Sequence, residues 1–279
     1  MASKTSNTER PIAMETETTV IPRIPQEVVD EILDYLALDS DSKSLRPCAL
    51  VSKPWVPSCR RHLFHTIVFT SKAAAGWLKM FPDPEESPVN YVRDLRFALG
   101  AHSGAPRKFF EYIPCFTNVE RMAWLGHGRF RLSWIPLLGK LPQSLTSLTI
   151  ETDTATLTQI QDILVQLPKL NDLSLSVFLG MAERNALPGM GTVLRGRFGG
   201  KLRLFNGHAD RDVINMLLEV PTGLHFTEVH VRGTHESFLS TVRLTEVCGR
   251  TLVRLSYAVS ILGKHHPRSS QCWRAKCCR

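Results

Sequence analysis

The sequence has no segment suited to a membrane or to export. Its apolar runs fall well short of the ~18 residues that a membrane-spanning helix needs. The first 20 residues contain no apolar core of the kind that a secretory signal carries. We therefore expect no membrane partner, and we predict that residues 1–20, which are rich in Ser and Thr, form a disordered leader.

The sequence also lacks the recognised motifs of enzymes. Gly189-x-Gly191 is not followed by the third glycine of a dinucleotide fingerprint, and none of the Gly-Lys pairs has the preceding glycine of a P-loop. There is no H-E-x-x-H and no G-x-S-x-G. Asp210 and Asp212 lie at the start of a predicted helix, where acidic residues serve as caps. We predict a protein that is not an enzyme and binds no cofactor.

The cysteines do not form the even, regularly spaced set of a disulfide framework. There are seven of them, at Cys48, Cys59, Cys115, Cys248, Cys272, Cys277 and Cys278. Scattered cysteines of odd number are typical of a reducing compartment. We therefore predict that the protein works in the cytoplasm or the nucleus.

Patterns for binding a metal are weak. On a strand, residues five apart lie on opposite faces, so His225 and His235 are expected opposite His230 and cannot share a metal with it. In the C-terminal segment, the adjacent Cys277 and Cys278 make a poor chelating pair. We predict a disordered C-terminus and no metal site.

The formal net charge of +8 raises the question of a nucleic-acid partner. Residues 263–279 carry five basic residues and no acidic one, which leaves only +3 for the rest of the chain. Because a basic tail is not a basic binding face, we expect no nucleic-acid partner. Steep salt-dependent binding that survives removal of the tail would support the opposite interpretation.

Three short helices are predicted between Ile24 and Phe69. Pro25 suits the first turn of a helix, and the acidic residues after it favour the positive end of the helix dipole. Apolar residues then recur at spacings of three and four, which gives one stripe along the first helix. They are Val28, Val29, Ile32, Leu33 and Leu36. So small a unit buries little core alone and needs a partner surface.

The order of four short motifs in this stretch resembles a fungal F-box domain. The motifs are Ile24-Pro25-x-Glu27, Ile32-Leu33-x-x-Leu36, Leu50-Val51-Ser52-Lys53-x-Trp55 and Arg61-His62-Leu63-Phe64. Members of that family dock apolar helical faces on the adaptor subunit of SCF-type cullin–RING ubiquitin ligases. The alternative is a helical cap packed on the rest of the chain.

The resemblance implies a set of partner-binding residues. They are Ile24, Pro25, Val28, Ile32, Leu33, Leu36, Leu50, Val51 and Trp55. Of these, Ile24, Pro25, Val28 and Ile32 are the contact candidates, while Leu33 and Leu36 are expected to face inward.

From Tyr91 onward, a pattern of alternating apolar and polar residues returns at a nearly fixed interval of 25 to 29 residues. Alternation is the period of a strand, and helical patterns lie between the repeats. We predict one parallel sheet of seven strands, over residues 92–98, 119–125, 145–151, 170–176, 201–205, 227–232 and 252–258.

This interval, and L-x-x-L-x-L fragments such as Leu170 to Leu175, resemble leucine-rich repeats. The resemblance implies a solenoid, in which each repeat contacts only its neighbours. A doubly wound α/β domain also alternates strands and helices and is the alternative. The glycine-rich segment Leu179 to Gly200 is either a degenerate repeat or a projecting loop that binds an anion.

Together, these features predict an α/β chain with an N-terminal three-helix F-box-like unit followed by an irregular leucine-rich-repeat solenoid. The segments are the leader 1–20, the F-box-like domain 21–69, a helix and linker 70–90, the solenoid 91–262 and a basic, cysteine-containing tail 263–279. The resemblance implies a substrate-recruiting adaptor of an SCF ubiquitin ligase, whose partners are the ligase adaptor subunit and an unknown protein substrate. The alternative is a protein-interaction scaffold with no ligase role.

Overall fold

The chain begins with three helices and continues as a sheet. The computed structural model describes residues 24–38, 42–98, 107–126, 144–152, 155–167, 169–177, 198–207, 210–219, 224–259 and 272–276. The N-terminal helices are α1 (Gln26–Leu38), α2 (Ser42–Val51) and α3 (Val56–Leu63), and a 3₁₀ turn over Lys53–Trp55 separates α2 from α3.

One nine-stranded sheet follows, and its strands lie side by side in chain order. The first eight strands are mutually parallel, and β9 pairs antiparallel with β8. The strands are β1 (Thr66–Phe69), β2 (Asp94–Phe97), β3 (Arg121–Leu125), β4 (Ser147–Thr152), β5 (Asp172–Val177), β6 (Phe198–Gly207), β7 (Leu224–Gly233), β8 (Arg254–Val259) and β9 (Cys272–Lys276). The helices between them are α4 (Ser71–Met80), α5 (Arg107–Phe110), α6 (Leu157–Gln166), α7 (Asp210–Leu218) and α8 (His235–Val247).

This architecture corrects the predicted fold class. The structure has a single sheet with eight parallel strands and intervening helices, an α/β arrangement of the Rossmann-like or TIM-like kind. The prediction of an F-box-like helical unit followed by a leucine-rich-repeat solenoid is therefore wrong. It failed because alternating strands and helices are common to both architectures, so a regular interval does not separate them.

The seven predicted strands correspond to β2 through β8, and the prediction that they pair in parallel is confirmed. Two further strands were missed. β1 lies inside the segment assigned to the helical unit, and β9 lies inside the predicted tail. The prediction of a disordered C-terminus is wrong for Cys272–Lys276, which form β9. The rest of the tail lies outside the described residues.

Side-chain caps fix where several helices begin. The Thr70 hydroxyl accepts a hydrogen bond from the Ala73 N–H at the start of α4. In α6, Thr156 and Gln159 form a reciprocal capping box, with hydrogen bonds of 2.9 and 3.0 Å between their side chains and backbone N–H groups. These caps satisfy N–H groups that have no partner within the helix.

Because side chains alternate between the two faces of a strand, one set of residues is buried in the core of the sheet unit, which is the sheet together with the helices packed on it. Two rows of aligned apolar residues, one on either side of a polar position, are buried across the sheet. The first row contains Leu95, Met122, Leu148, Leu173, Leu202 and Val229, and the second contains Phe69, Phe97, Trp124, Ile150, Leu175, Leu204 and Val231. Helical residues such as Ile160 and Ile214 pack in the same core. The intervening residues, which are polar on most of the strands, lie on the opposite face, called here the open face.

Threonine hydroxyls near the start of one strand donate hydrogen bonds to backbone carbonyls near the start of the preceding strand. Thr146 donates to the Glu120 carbonyl, and Thr227 donates to the Gly200 carbonyl. Thr251 donates to the Phe226 carbonyl in the same way. These bonds add side-chain contacts between consecutive strands near the points where their pairing begins.

The three N-terminal helices have a core of their own. It consists of Val29, Leu33, Leu45 and Cys59, with partly buried residues such as Leu63 packed against them. The next residue, Phe64, packs instead against the core of the sheet unit, where its ring lies 6.2 Å from that of Trp77. The change between the two cores thus falls at Leu63 and Phe64, before the predicted linker 70–90.

Candidate docking surface

Helix α1 has apolar residues on two faces. The inner face carries Val29 and Leu33, which are 1% and 0% exposed, with Leu36 partly buried beside them. The outer face begins with Ile24, just before the helix, and continues along it at spacings of four, four, three and three. Its residues, called here the outer stripe, are Ile24 (57% exposed), Val28 (43%), Ile32 (42%), Tyr35 (71%) and Leu38 (81%). These spacings keep the stripe on one side of a helix with 3.6 residues per turn.

The end of α2 adds more exposed apolar surface to the same unit. Leu50 is 89% exposed and Val51 is 67% exposed. Their neighbours Cys48 and Ala49 pack against the small core instead. A unit this small that leaves so many large apolar side chains in water has the character of an interaction surface.

A polar contact fixes α1 against α3. The Ser58 hydroxyl, on α3, donates a hydrogen bond to the Asp30 carboxylate on α1, and the Gln26 side-chain amide donates a second one of 2.9 Å. The hydrogen bond from Ser58, and next that from Gln26, lower the pKa of Asp30 below its ordinary value. Asp30 and Ser58 thus hold the two helices in register while the outer stripe faces away.

The predicted partner-binding residues divide into exposed and buried groups. Ile24, Pro25, Val28, Ile32, Leu50 and Val51 are exposed. Leu33 is buried and Leu36 is partly buried, which agrees with the expectation that both face inward. Trp55 is also partly buried against the small core. Leu33, Leu36 and Trp55 therefore support the surface from beneath.

Sequence reasoning missed two residues of the outer stripe, Tyr35 and Leu38. Their signal was the continuing spacing of three after Ile32. It was overlooked because the inner residues of α1 also recur at spacings of three and four, and one stripe was taken to serve both roles. Two interleaved stripes on one helix indicate two different contacts.

The open face of the sheet is a second exposed surface, and it is charged. Glu228 on β7 lies 3.6 Å from Lys201 Nζ, 3.7 Å from Arg254 Nη1 and 3.6 Å from His230 Nε2. Burial alone would raise the pKa of Glu228, but the neighbouring cations outweigh that effect and lower it. On β2, Asp94 pairs with Arg96 at 2.8 Å, and this contact raises the pKa of Arg96.

The other sequence candidates are cysteines and two aspartates at the start of a helix. Cys48, Cys59, Cys115 and Cys248 are free thiols, and burial raises the pKa of Cys59 and Cys248, which disfavours the reactive thiolate. Among the described residues, no group of three or more His, Cys, Asp or Glu side chains is placed to hold a metal ion. Asp210 and Asp212 begin α7, and Asp210 is buried.

One prediction about the histidines needs correction. β7 has an extra residue at Thr227 relative to β6, and this bulge interrupts the alternation of faces. His225 and His230 are consequently both outside the core, rather than on opposite faces as predicted.

Most of the glycine-rich segment Leu179 to Gly200 lies outside the described residues. Its last glycine, Gly200, has φ = +69°. A Cβ at Gly200 would lie 2.0 Å from the Asn171 carbonyl oxygen. This glycine is thus explained by the backbone of β6 and not by anion binding.

None of the described helices is long and apolar enough to cross a membrane. No model of a known protein family matches the chain, and no curated protein sequence matches it.

Proposed function

We propose that this protein recruits a protein substrate to an SCF-type cullin–RING ubiquitin ligase, in the cytoplasm or the nucleus. The N-terminal helices bind the adaptor subunit of the ligase, and the sheet unit holds the substrate. The observation that carries this proposal is the outer stripe of α1, a row of exposed apolar side chains that contributes nothing to the core beneath it.

The order of motifs between Ile24 and Phe64 supports the choice of partner. Its resemblance to the F-box family pointed to Ile24, Pro25, Val28 and Ile32 as contact candidates, and all four are exposed. Burying one such aliphatic side chain contributes roughly 1.5–3 kcal/mol. Ile24, Val28 and Ile32 are about half covered in the free chain, so each would gain part of that free energy on binding.

The protein contributes proximity and no catalytic group. A ligase acts on whatever it holds near its active partner, so a rigid link between the two binding surfaces is an advantage. Leu63 and Phe64 provide that link, since they are consecutive and pack in the two different cores. The substrate is thereby held in a fixed direction from the ligase adaptor.

The test is the affinity of the purified ligase adaptor for three chains, the parent, Ile32→Asp and Leu239→Asp. Ile32→Asp should weaken binding by at least about tenfold, because a loss of ~1.4 kcal/mol suffices for that and an unpartnered buried carboxylate costs more. Ile32 is 42% exposed in the free chain and lies outside the small core, and circular dichroism of each chain checks that it is folded.

Leu239→Asp is the matched control. Leu239 is 71% exposed on α8, far along the chain from the outer stripe, and it receives the same substitution. It should bind the adaptor as the parent does. Equal loss in the two variants, or no binding by a folded parent chain, would remove the ligase role from this proposal.

A further inference from the structure

The charges on the open face of the sheet are unevenly distributed from one end to the other. On β2 to β4 two carboxylates, Asp94 and Glu151, share the face with two cations, Arg96 and Arg121, so the formal charges are equal in number. Both arginines pair with Asp94. On β5 to β8 two carboxylates, Asp172 and Glu228, share the face with four permanent cations. The cations are Lys201, Arg203, Arg232 and Arg254.

The cations at this end are close together and accessible to solvent. Adjacent strands are about 4.8 Å apart, so those on β6, β7 and β8 span about 10 Å. The side chains of Lys201, Arg203 and Arg254 are 44%, 37% and 64% exposed although they pair with carboxylates. This end of the open face, called here the basic end, thus has a surplus of positive charge.

An exposed aromatic residue accompanies the cations. Phe205 follows the buried Leu204 on β6 and is 44% exposed. It lies two residues after Arg203 in the sequence, next to an irregularity in the pairing of β6 with β7 that begins after Leu204. A large apolar side chain beside cations supplies an anchor as well as charge.

We propose that the basic end binds an acidic segment of a partner protein, with carboxylates near Arg203 and Arg254 and an apolar residue on Phe205. Separate carboxylates of a peptide fit this surface better than a continuous phosphate backbone, because Asp172 and Glu228 lie within it and repel phosphates. The inference rests on the proposed recruitment role in one respect, since it takes the acidic segment to be part of the substrate.

The probe is a fluorescein-labelled peptide of alternating Glu and Gly with a central Leu, and its binding to the full chain is measured by fluorescence anisotropy at low salt. The double variant Arg203→Glu, Arg254→Glu should bind at least about tenfold more weakly. The matched control is Lys72→Glu, Lys79→Glu on α4, which changes the net charge equally at the other end of the sheet. It should retain most of the affinity.

A second variant distinguishes binding from a purely structural role. Glu228 pairs with Lys201 and Arg254, so Glu228→Gln leaves both cations without that carboxylate and should strengthen peptide binding severalfold. If these charges serve only to stabilise the sheet, Glu228→Gln destabilises the chain and gives no gain in affinity, which overturns the proposal.

Three further outcomes would overturn it. They are no binding by the parent chain, equal loss in the control variant, and tighter binding of single-stranded oligothymidine through the same two arginines. Adaptor binding is measured on the same samples. A parent chain that binds the adaptor but not the peptide refutes this inference alone, whereas one that binds the peptide but not the adaptor supports the basic end and refutes the ligase role.

Discussion

At the scale of single residues, the structure separates positions that the fold requires from positions that it leaves free. Leu33 and Ile32 are neighbours in the sequence, yet one is 0% exposed and the other 42% exposed. Gly200 and Gly76 differ in the space that each leaves for a side chain. A Cβ at Gly200 would meet the Asn171 carbonyl at 2.0 Å, whereas a Cβ at Gly76 would meet nothing within 4 Å.

The two glycines therefore predict opposite effects of the same substitution. Gly200→Ala should destabilise the protein by more than about 1 kcal/mol, because φ is positive there and the new methyl group collides with backbone. Gly76→Ala, within α4, should stabilise it by about 0.4–1 kcal/mol, since alanine loses less entropy on folding. Denaturant unfolding of both variants measures this, and equal effects would contradict the geometry of β6.

The contact between Ser58 and Asp30 predicts a dependence on pH. The folded-state pKa of Asp30 is lowered, so its stabilising effect is present above the ordinary pKa range and is lost as pH falls through the folded value. Ser58→Ala should reduce the melting temperature at neutral pH, and the difference from the parent should shrink as pH falls below the ordinary pKa range of an aspartate.

A carbon-13 titration of the Asp30 carboxyl provides the direct control. Its pKa should rise in Ser58→Ala, because the hydrogen bond from Ser58 is the largest cause of the lowering. An unchanged pKa, or a stability difference that grows in acid, would show that this contact does not join α1 to α3 in solution.

At the scale of elements, α1 serves two purposes with two faces. Its inner face contributes Val29 and Leu33 to the small core, and the residues of its outer stripe lie outside that core. A mutation on α1 should therefore affect either folding or binding, according to the face on which it lies.

Leu33→Ala and Leu38→Ala test this division on the same helix. Leu33→Ala should cost about 2–5 kcal/mol of stability, because it leaves a cavity in the small core. Leu38, which is 81% exposed, should change stability by no more than about 0.5 kcal/mol when replaced by alanine. Hydrogen exchange of the α1 amides measures both effects locally. Comparable losses of stability in the two variants would show that Leu38 is also buried, which would contradict this division of α1 into two faces.

At the scale of the whole molecule, most strands of the sheet were predicted from the sequence, but the fold class was not. Strands β2 to β8 were found from alternation and regular spacing, because buried rows such as Leu95, Met122 and Leu148 leave a clear pattern. β1 was missed because Thr66–Phe69 has only four residues and adjoins a helix. Spacing along the chain also did not show that β1 joins the same sheet as the later strands.

The candidate surfaces were predictable to different degrees. The exposed residues Ile24, Pro25, Val28 and Ile32 were implied by the family resemblance, whereas helical periodicity alone gave one undivided stripe and did not include Tyr35 or Leu38. The basic end was not predicted, because its charges come from strands that are far apart in the sequence and meet only through register, as Lys201, Glu228 and Arg254 do. The net charge of a sequence segment does not show which charged residues meet on the folded sheet, so it did not indicate this surface.

The measurement that tests the central claim most directly is hydrogen exchange of the chain with and without the purified ligase adaptor. We expect a complex in which exchange slows in α1 and near the end of α2, around Leu50 and Val51, while β2 to β8 exchange as in the free chain. The absence of a complex, or protection confined to the sheet with α1 unchanged, would contradict the assignment of the N-terminal helices as the ligase-binding surface.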